Sequence, residues 1–398
     1  MKILKFTGVF LAVLIIMALI IYIPNRQAFK TISDNSIDLK EGSNWIQRAT
    51  SDKGLINYMK ATPNHVSLIS FTENQPDSGI YFQADKKRVM GSTANLLLII
   101  EYARQVNDGT LNPDKPIKLS TIDHYNLPKY YSSNHSEAVN DLKKNHQISG
   151  SGTIPVKDLI KMMVRSNDLA ASDCLYFILG TDNVANIPKK LNTTNIDPPL
   201  PWSGQVILWK ASLYNQKPVD RLHYLQELPV KKYRQLALQN AIKLASNVNY
   251  REKVYNAFSK NGLGLLFSYE KNAYQLTPKA TPRAMAHLLY RMIKDSLINP
   301  GVSKMIKKSL QWSFDTPSLK KQINYYGGLF DSRIGMLNGI DIGNLKNSGT
   351  TRIQVIYLNH VPVSLWMHLS SEFTNQTMQR ELIWKPEFYH YTYRKLMK

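Results

Sequence analysis

The strongest hydrophobic signal lies at the very start of the chain. Residues 6–23 form a nearly unbroken apolar run of 18 positions. At ~1.5 Å rise per residue a helix of that length spans ~27 Å, enough for a bilayer core. Lys2 and Lys5 precede the run, so the positive-inside bias holds the N-terminus in the cytoplasm. A removable signal has a shorter apolar stretch and a small-residue cleavage site. No A-x-A pattern follows Ile23, and no lipobox cysteine is present. The pattern therefore favours a retained anchor over residues 1–24, with a cleaved signal as the alternative. Either way, the domain beyond it is expected outside the cytoplasm, periplasmic or extracellular.

Downstream the pattern changes character. Residues 25–50 are polar and mixed and read as a tether, followed by a helix near 51–60. Short β-type runs at 66–71 and 80–83 flank the turn-rich residues 74–79 and predict a hairpin. Residues 94–106 are continuously apolar, with the cap-type residues Ser92 and Thr93 at their start and Asn107-Asp108-Gly109 at their end, which predicts a buried helix. Helices are also expected at 156–164 and 169–179, over much of the basic stretch 219–259, and at 284–295 and 303–312. β character returns at 333–336, 340–345, 351–358 and 361–368, and a helix closes the chain over 371–391. Strands at both ends enclose a helical middle. The simplest packing joins them in one antiparallel sheet with helices on its faces and a separate helical lobe, an α+β fold. The lobes are expected at 51–90 with 276–398, and at 91–275 with a basic insertion at about 205–270. The cleft between them is the natural site.

Composition narrows the function classes. The formal charge is +21, from 50 Lys+Arg against 29 Asp+Glu. Such an excess suits contact with anionic headgroups or wall polymers, and export argues against nucleic acid as a partner. The single cysteine, Cys174, excludes an internal disulfide framework and a zinc ribbon. The motif scan gives no phosphate-binding, dinucleotide-binding or H-E-x-x-H signal, so neither a cofactor nor a metal is implied.

One segment carries candidate chemistry. In ADKKRVMGST, residues 84–93, a hairpin leads into Ser92 at a helix start. Together with NDGTLNPD at 107–114, ATPRAMA at 280–286, and Arg333-Ile334 ahead of residues 345–350, it resembles the serine β-lactamase and penicillin-binding transpeptidase family, most of all its class A type. The resemblance implies that Ser92 is the nucleophile. The family's S-x-x-K motif pairs that serine with a lysine on the same helix face, which takes its proton. Here the fourth residue is Asn95, which has no usable base. The family's S-D-N triplet corresponds to Ser166-Asn167-Asp168, with Ser166 as proton relay and Asp168 either a helix cap or a carboxylate base.

The K-T-G strand of the family is matched to Lys346-Asn347-Ser348-Gly349-Thr350, with Thr351 and Arg352 completing the expected substrate-binding set. Alignment on Gly349 puts Asn347 in the lysine's place, whereas a one-residue bulge keeps Lys346 in use; both registers stand open. Oxyanion donors are implied at the N–H of Ser92 and near Thr351. Residues 193–205 contain Asp197 but no E-x-x-L-N run, so efficient β-lactam turnover is not expected. In the first register two lysines of the family become asparagines and one asparagine becomes aspartate, a charge shift of about −3 that disfavours anionic substrates. Two readings follow. One is an exported, anchored serine hydrolase or acyl transferase of weak or altered activity on β-lactams or cell-wall peptides. The other is an inactive relative that binds a wall fragment or a protein partner.

Overall fold

A computed structural model describes residues 26, 30, 32–264, 266–311, 323–345 and 349–398. The apolar run at 6–23 lies outside these. Among the described residues no helix is long and apolar enough to cross a membrane.

Five antiparallel strands form the central sheet. They are β1 (Val66–Thr72), β2 (Gln75–Phe82), β3 (Ile323–Asp331), β4 (Leu337–Leu345) and β5 (Thr351–Leu358), in the spatial order β2-β1-β5-β4-β3. The two ends of the chain thus interleave: β1 pairs with β5 along its whole length, from Val66 with Leu358 to Thr72 with Arg352. Alternation of side chains gives the sheet two apolar faces. Ile69, Phe71, Ile353, Val355 and Tyr357 face the core shared with the helical lobe. Val66, Leu68, Ile356 and Leu358 face a second core.

That second core explains two departures from the sequence reading. The stretch read as a tether contains α1 (Ser36–Ala49), which precedes α2 (Asp52–Ala61). Helix α1 docks where Gly42 meets Val363–Ser371: a Cβ at Gly42 would stand 2.1 Å from Ser364 Oγ, so only glycine permits the approach. Residues 361–368, expected as a strand, supply most of that helix, which begins directly after Pro362. Proline fits a helix start because the first N–H groups need no partner within the helix.

The helical lobe holds α3 (Asn95–Asn107), α4 (Val156–Arg165), α5 (Leu169–Leu179) and α6 (Trp202–Trp209). The basic insertion follows as α7 (Pro218–Glu227), α8 (Val230–Ser246) and α9 (Val248–Asn261), and α10 (Phe267–Ala273) returns toward the sheet. Gly204 lets α6 lie directly on α8, since a Cβ there would sit 1.9 Å from the Ala237 carbonyl oxygen.

Candidate active site

Ser92 sits in a single 3-10 turn, Gly91–Ala94, that leads into α3. It does not cap the helix; neither the turn nor α3 has a side-chain cap. Thr93 fixes the turn, donating to the Met90 carbonyl at 2.7 Å and meeting the Tyr357 hydroxyl of β5 at 3.1 Å. Gly91 has φ of +60°, and a Cβ there would lie 2.1 Å from Asp331 Oδ2, so glycine is required on both counts.

The cleft expected between the lobes does not open at Ser92. The residue is 1% exposed, and Asp331 and Arg333 close over it. Its hydroxyl accepts a hydrogen bond from Arg333 Nη2 at 2.5 Å. Its backbone N–H donates to Asp331 Oδ2 at 2.6 Å. Arg333 and Asp331 are themselves ion-paired, with Arg333 Nε donating to Asp331 Oδ1 at 3.0 Å and a second contact from Nη2 to Oδ2. Burial lowers the Arg333 guanidinium, but the Asp331 carboxylate outweighs it and holds the group above its ordinary value.

Aromatic residues hold the pair in place. The Arg333 guanidinium lies 3.8 Å from the ring centre of Trp202, a cation–π contact. Asp173 positions Trp202 by accepting the N–H groups of Trp202 and Ser203 at 2.6 and 2.7 Å, where α6 begins. On another side Tyr131 accepts the N–H of Ile334, the Tyr130 and Tyr274 hydroxyls meet at 3.1 Å, and Tyr274 donates to Glu270 at 2.5 Å. Burial pushes the Glu270 carboxyl above its ordinary range.

Asn95, at the lysine position, is 2% exposed, and its Oδ1 accepts from Ser172 Oγ at 2.8 Å. Among the described residues its Nδ2 lacks a partner, as does Oε1 of Gln205. Both side chains line a cavity of about 10 Å³, room for one water. The ammonium of the motif is thus replaced by a neutral amide held to α5.

Ser166 ends α4 and is half-buried, and Asn167 takes a left-handed φ of +51°. Asp168 begins α5 and is fully buried. Its Oδ1 accepts the N–H groups of Ala170 and Ala171 at 2.8 and 3.3 Å, while its Oδ2 bonds His135 Nδ1 at 2.8 Å. His135 bonds Asp123 through Nε2 at 2.9 Å. Burial lowers the imidazole, but the bonds to Asp123 and Asp168 outweigh it and raise the group to about 9. Both Asp168 oxygens are committed to cap and ion pair, so of its two readings the geometry matches the cap.

Of the proposed K-T-G match, the described residues 349–352 lie away from Ser92. Lys346, Asn347 and Ser348 lie outside the described residues. Their neighbours belong to the β4–β5 connection, at the end of the sheet that carries the β1–β2 turn. Thr350 Oγ1 accepts from Asn74 at 3.3 Å, and the Thr351 N–H donates to Glu73 at 3.2 Å. Gly349 has φ of +60° with open space around it. Arg352 lies over the Tyr389 ring at 4.0 Å, on the C-terminal helix Pro386–Met397. Asn338, at the start of β4, anchors the Ser92 end of the sheet through a 2.8 Å bond to the Val89 carbonyl, whereas Asn344 pairs with Thr351. Six residues at ~3.4 Å put these ends roughly 20 Å apart. The segment beside Ser92 is instead the end of the edge strand β3, where Asp331 and Arg333 stand. Arg165, beside Ser166, is exposed and meets Asp141 at 3.8 Å.

Sequence reasoning missed β3, and with it Asp331. The double glycine Gly327-Gly328 hid the strand. A Cβ at Gly327 would lie 2.9 Å from the Leu310 carbonyl oxygen, and one at Gly328 2.3 Å from that of Ile340. Glycine inside a strand marks such close backbone approach, and the apolar residues around the pair, read that way, were the available signal.

The profile of the Beta-lactamase enzyme family matches residues 52–343. No curated protein sequence matches the chain. Among solved structures, it is similar to a β-lactamase from Chitinophaga pinensis DSM 2588, with 13% identity, 82% of this chain and 99% of the other covered, and a TM-score of 0.47. It is also similar to a β-lactamase from Sphaerobacter thermophilus DSM 20745, with 12% identity, coverage of 82% and 95%, and a TM-score of 0.48. A third, from Xanthomonas campestris pv. campestris, has 13% identity, coverage of 88% and 100%, and a TM-score of 0.47. The profile spans well over half of the 398 residues, and on that match the chain belongs to the beta-lactamase enzyme family.

Proposed function

We propose that this is an exported, N-terminally anchored member of the family that no longer acylates through Ser92 and acts in the cell envelope as a binding protein for a wall fragment or a protein partner. One observation carries this reading: a single buried ion pair occupies both chemical handles of Ser92. Acyl transfer needs a free hydroxyl next to a base, and an N–H aimed at the developing oxyanion. At Ser92 the hydroxyl already accepts from a permanent cation, and the N–H already donates to a carboxylate. An oxyanion placed there would meet Asp331, a like charge, at the point where catalysis needs a donor. The second implied donor, the Thr351 N–H, also serves a carboxylate, that of Glu73. Asn95 cannot accept the serine proton as a lysine would.

The test is labelling of the full-length protein, in neutral detergent, with a fluorescent penicillin. No Ser92-dependent labelling is expected, and Ser92→Ala should match the natural protein. Asn95→Lys should also stay unlabelled, because it restores a base and leaves Asp331 on the N–H. Labelling that Ser92→Ala abolishes would instead support the other reading, a hydrolase of altered activity.

A further inference from the structure

A second concavity lies away from Ser92, where the basic insertion meets the N-terminal segment. It is a cleft of about 720 Å³, bordered by residues that follow α6, by α9, and by Lys30 and Asp34. Its lining includes four lysines, Lys30, Lys210, Lys253 and Lys260, against the single carboxylate of Asp34. Among the described residues none of the four ammonium groups has a carboxylate within 4.0 Å.

Lys210 is the informative member. It directly follows α6 and is only 3% exposed. Its ammonium donates to Asn261 Oδ1 at 2.7 Å and to the Gly262 carbonyl, and stands 5.2 Å from the centre of the Phe258 ring. These partners are neutral. They satisfy two of its three N–H bonds and none of its charge. A buried cation without a counter-ion is costly, and here it stands among three more cations in an open cleft. A cleft of this size holds a small molecule or a headgroup, and clustered ammonium groups are point-charge binders of phosphate oxygens.

We propose that the cleft formed by Lys30, Lys210, Lys253 and Lys260 is a binding site for a phosphate-bearing anion. The inference does not depend on whether Ser92 reacts. Two sources share the chemistry: an anionic lipid headgroup and a soluble phosphate ester. Lys30 follows the apolar run by seven residues, a reach of at most about 25 Å, so a headgroup is within range if that run is an anchor.

The experiment is calorimetric titration of the full-length protein in neutral detergent with inorganic pyrophosphate and, separately, with dihexanoyl-phosphatidylglycerol; dihexanoyl-phosphatidylcholine, zwitterionic with no net charge, is the control. Saturable binding of at least one anionic probe is expected, weakened about tenfold or more in Lys253→Gln/Lys260→Gln, since charge-assisted contacts are lost. Lys231→Gln/Lys232→Gln removes the same charge from exposed positions outside the cleft and should bind like the natural protein. These variants leave the Lys210 contacts intact, so they test the site even if Lys210→Met fails to fold. Burial, with help from Lys260, pulls Lys210 down to about 8, so affinity should fall as pH rises through that value. Tighter binding of phosphatidylglycerol than pyrophosphate identifies a headgroup site; the reverse identifies a soluble phosphate ester. Absence of saturable binding by both probes, or equal loss in the two double variants, would overturn the proposal.

Discussion

Replacing Arg333 with leucine is expected to cost about 3–5 kcal/mol of folding stability, because it strands the Asp331 carboxylate without its counter-ion. Asp331 is 1% exposed and Arg333 2%. The carboxylate also anchors the Ser92 and Arg333 N–H groups, so it cannot turn to solvent without breaking both. Asp331→Asn alone leaves Arg333 as the unpaired charge and should cost a similar amount. The double variant Asp331→Asn/Arg333→Leu removes both charges and keeps an acceptor for the Ser92 N–H. It should be more stable than the sum of the single losses implies, with a coupling of about 2–3 kcal/mol. Urea unfolding of the four proteins measures this cycle; additive losses would mean that the pair does not hold the site shut.

The second large effect is a pH dependence. His135 has its folded value raised to about 9, against 6.5 for the free side chain. A group raised on folding contributes stability that is fully present below its unfolded value and is lost as pH rises through the folded one. At about 1.36 kcal/mol per pH unit, the contribution is on the order of 3 kcal/mol, present below pH 6.5 and lost through about pH 9. Lys210 works in the opposite sense: burial lowers it from 10.5 to about 8, so its unfavourable charge is relieved between about pH 8 and 10.5, which overlaps the upper end of the His135 interval. The clean observable is therefore the difference between the natural protein and His135→Asn, which carries the Lys210 contribution equally. That difference should shrink steadily between pH 6.5 and about 9.5. A pH-independent difference would mean that His135 is not the charged partner of Asp168 and Asp123.

Much of the fold was legible because burial leaves a period in the sequence. The limits of β5, Thr351–Leu358, coincide with the expected run, and α5 was anticipated as Leu169–Leu179. The misreadings have physical causes. Helix α1 carries mostly exposed polar residues and is held by a glycine contact invisible in hydropathy. Strand β3 is interrupted by two glycines that its neighbours require. The site was half legible: Ser92, Asn95 and Asp168 were named from local motifs, and each has a defined place. Asp331 was not, and Arg333 entered only as a landmark of the resemblance without a role at Ser92, because they reach Ser92 across 239 and 241 residues of chain. The run at 346–350 resembled the missing motif in type, but sheet order, which sequence period does not encode, puts the described residues 349–352 at the other end of the sheet.

Closure of the serine by Asp331 and Arg333 leaves its hydroxyl unable to attack a β-lactam, and covalent reactivity reports on that closure. The full-length protein would be held for hours with a large excess of benzylpenicillin and its intact mass determined, with peptide mapping of the segment containing Ser92. The account predicts an unchanged mass and an unmodified peptide. A stoichiometric penicilloyl adduct on Ser92 would contradict it.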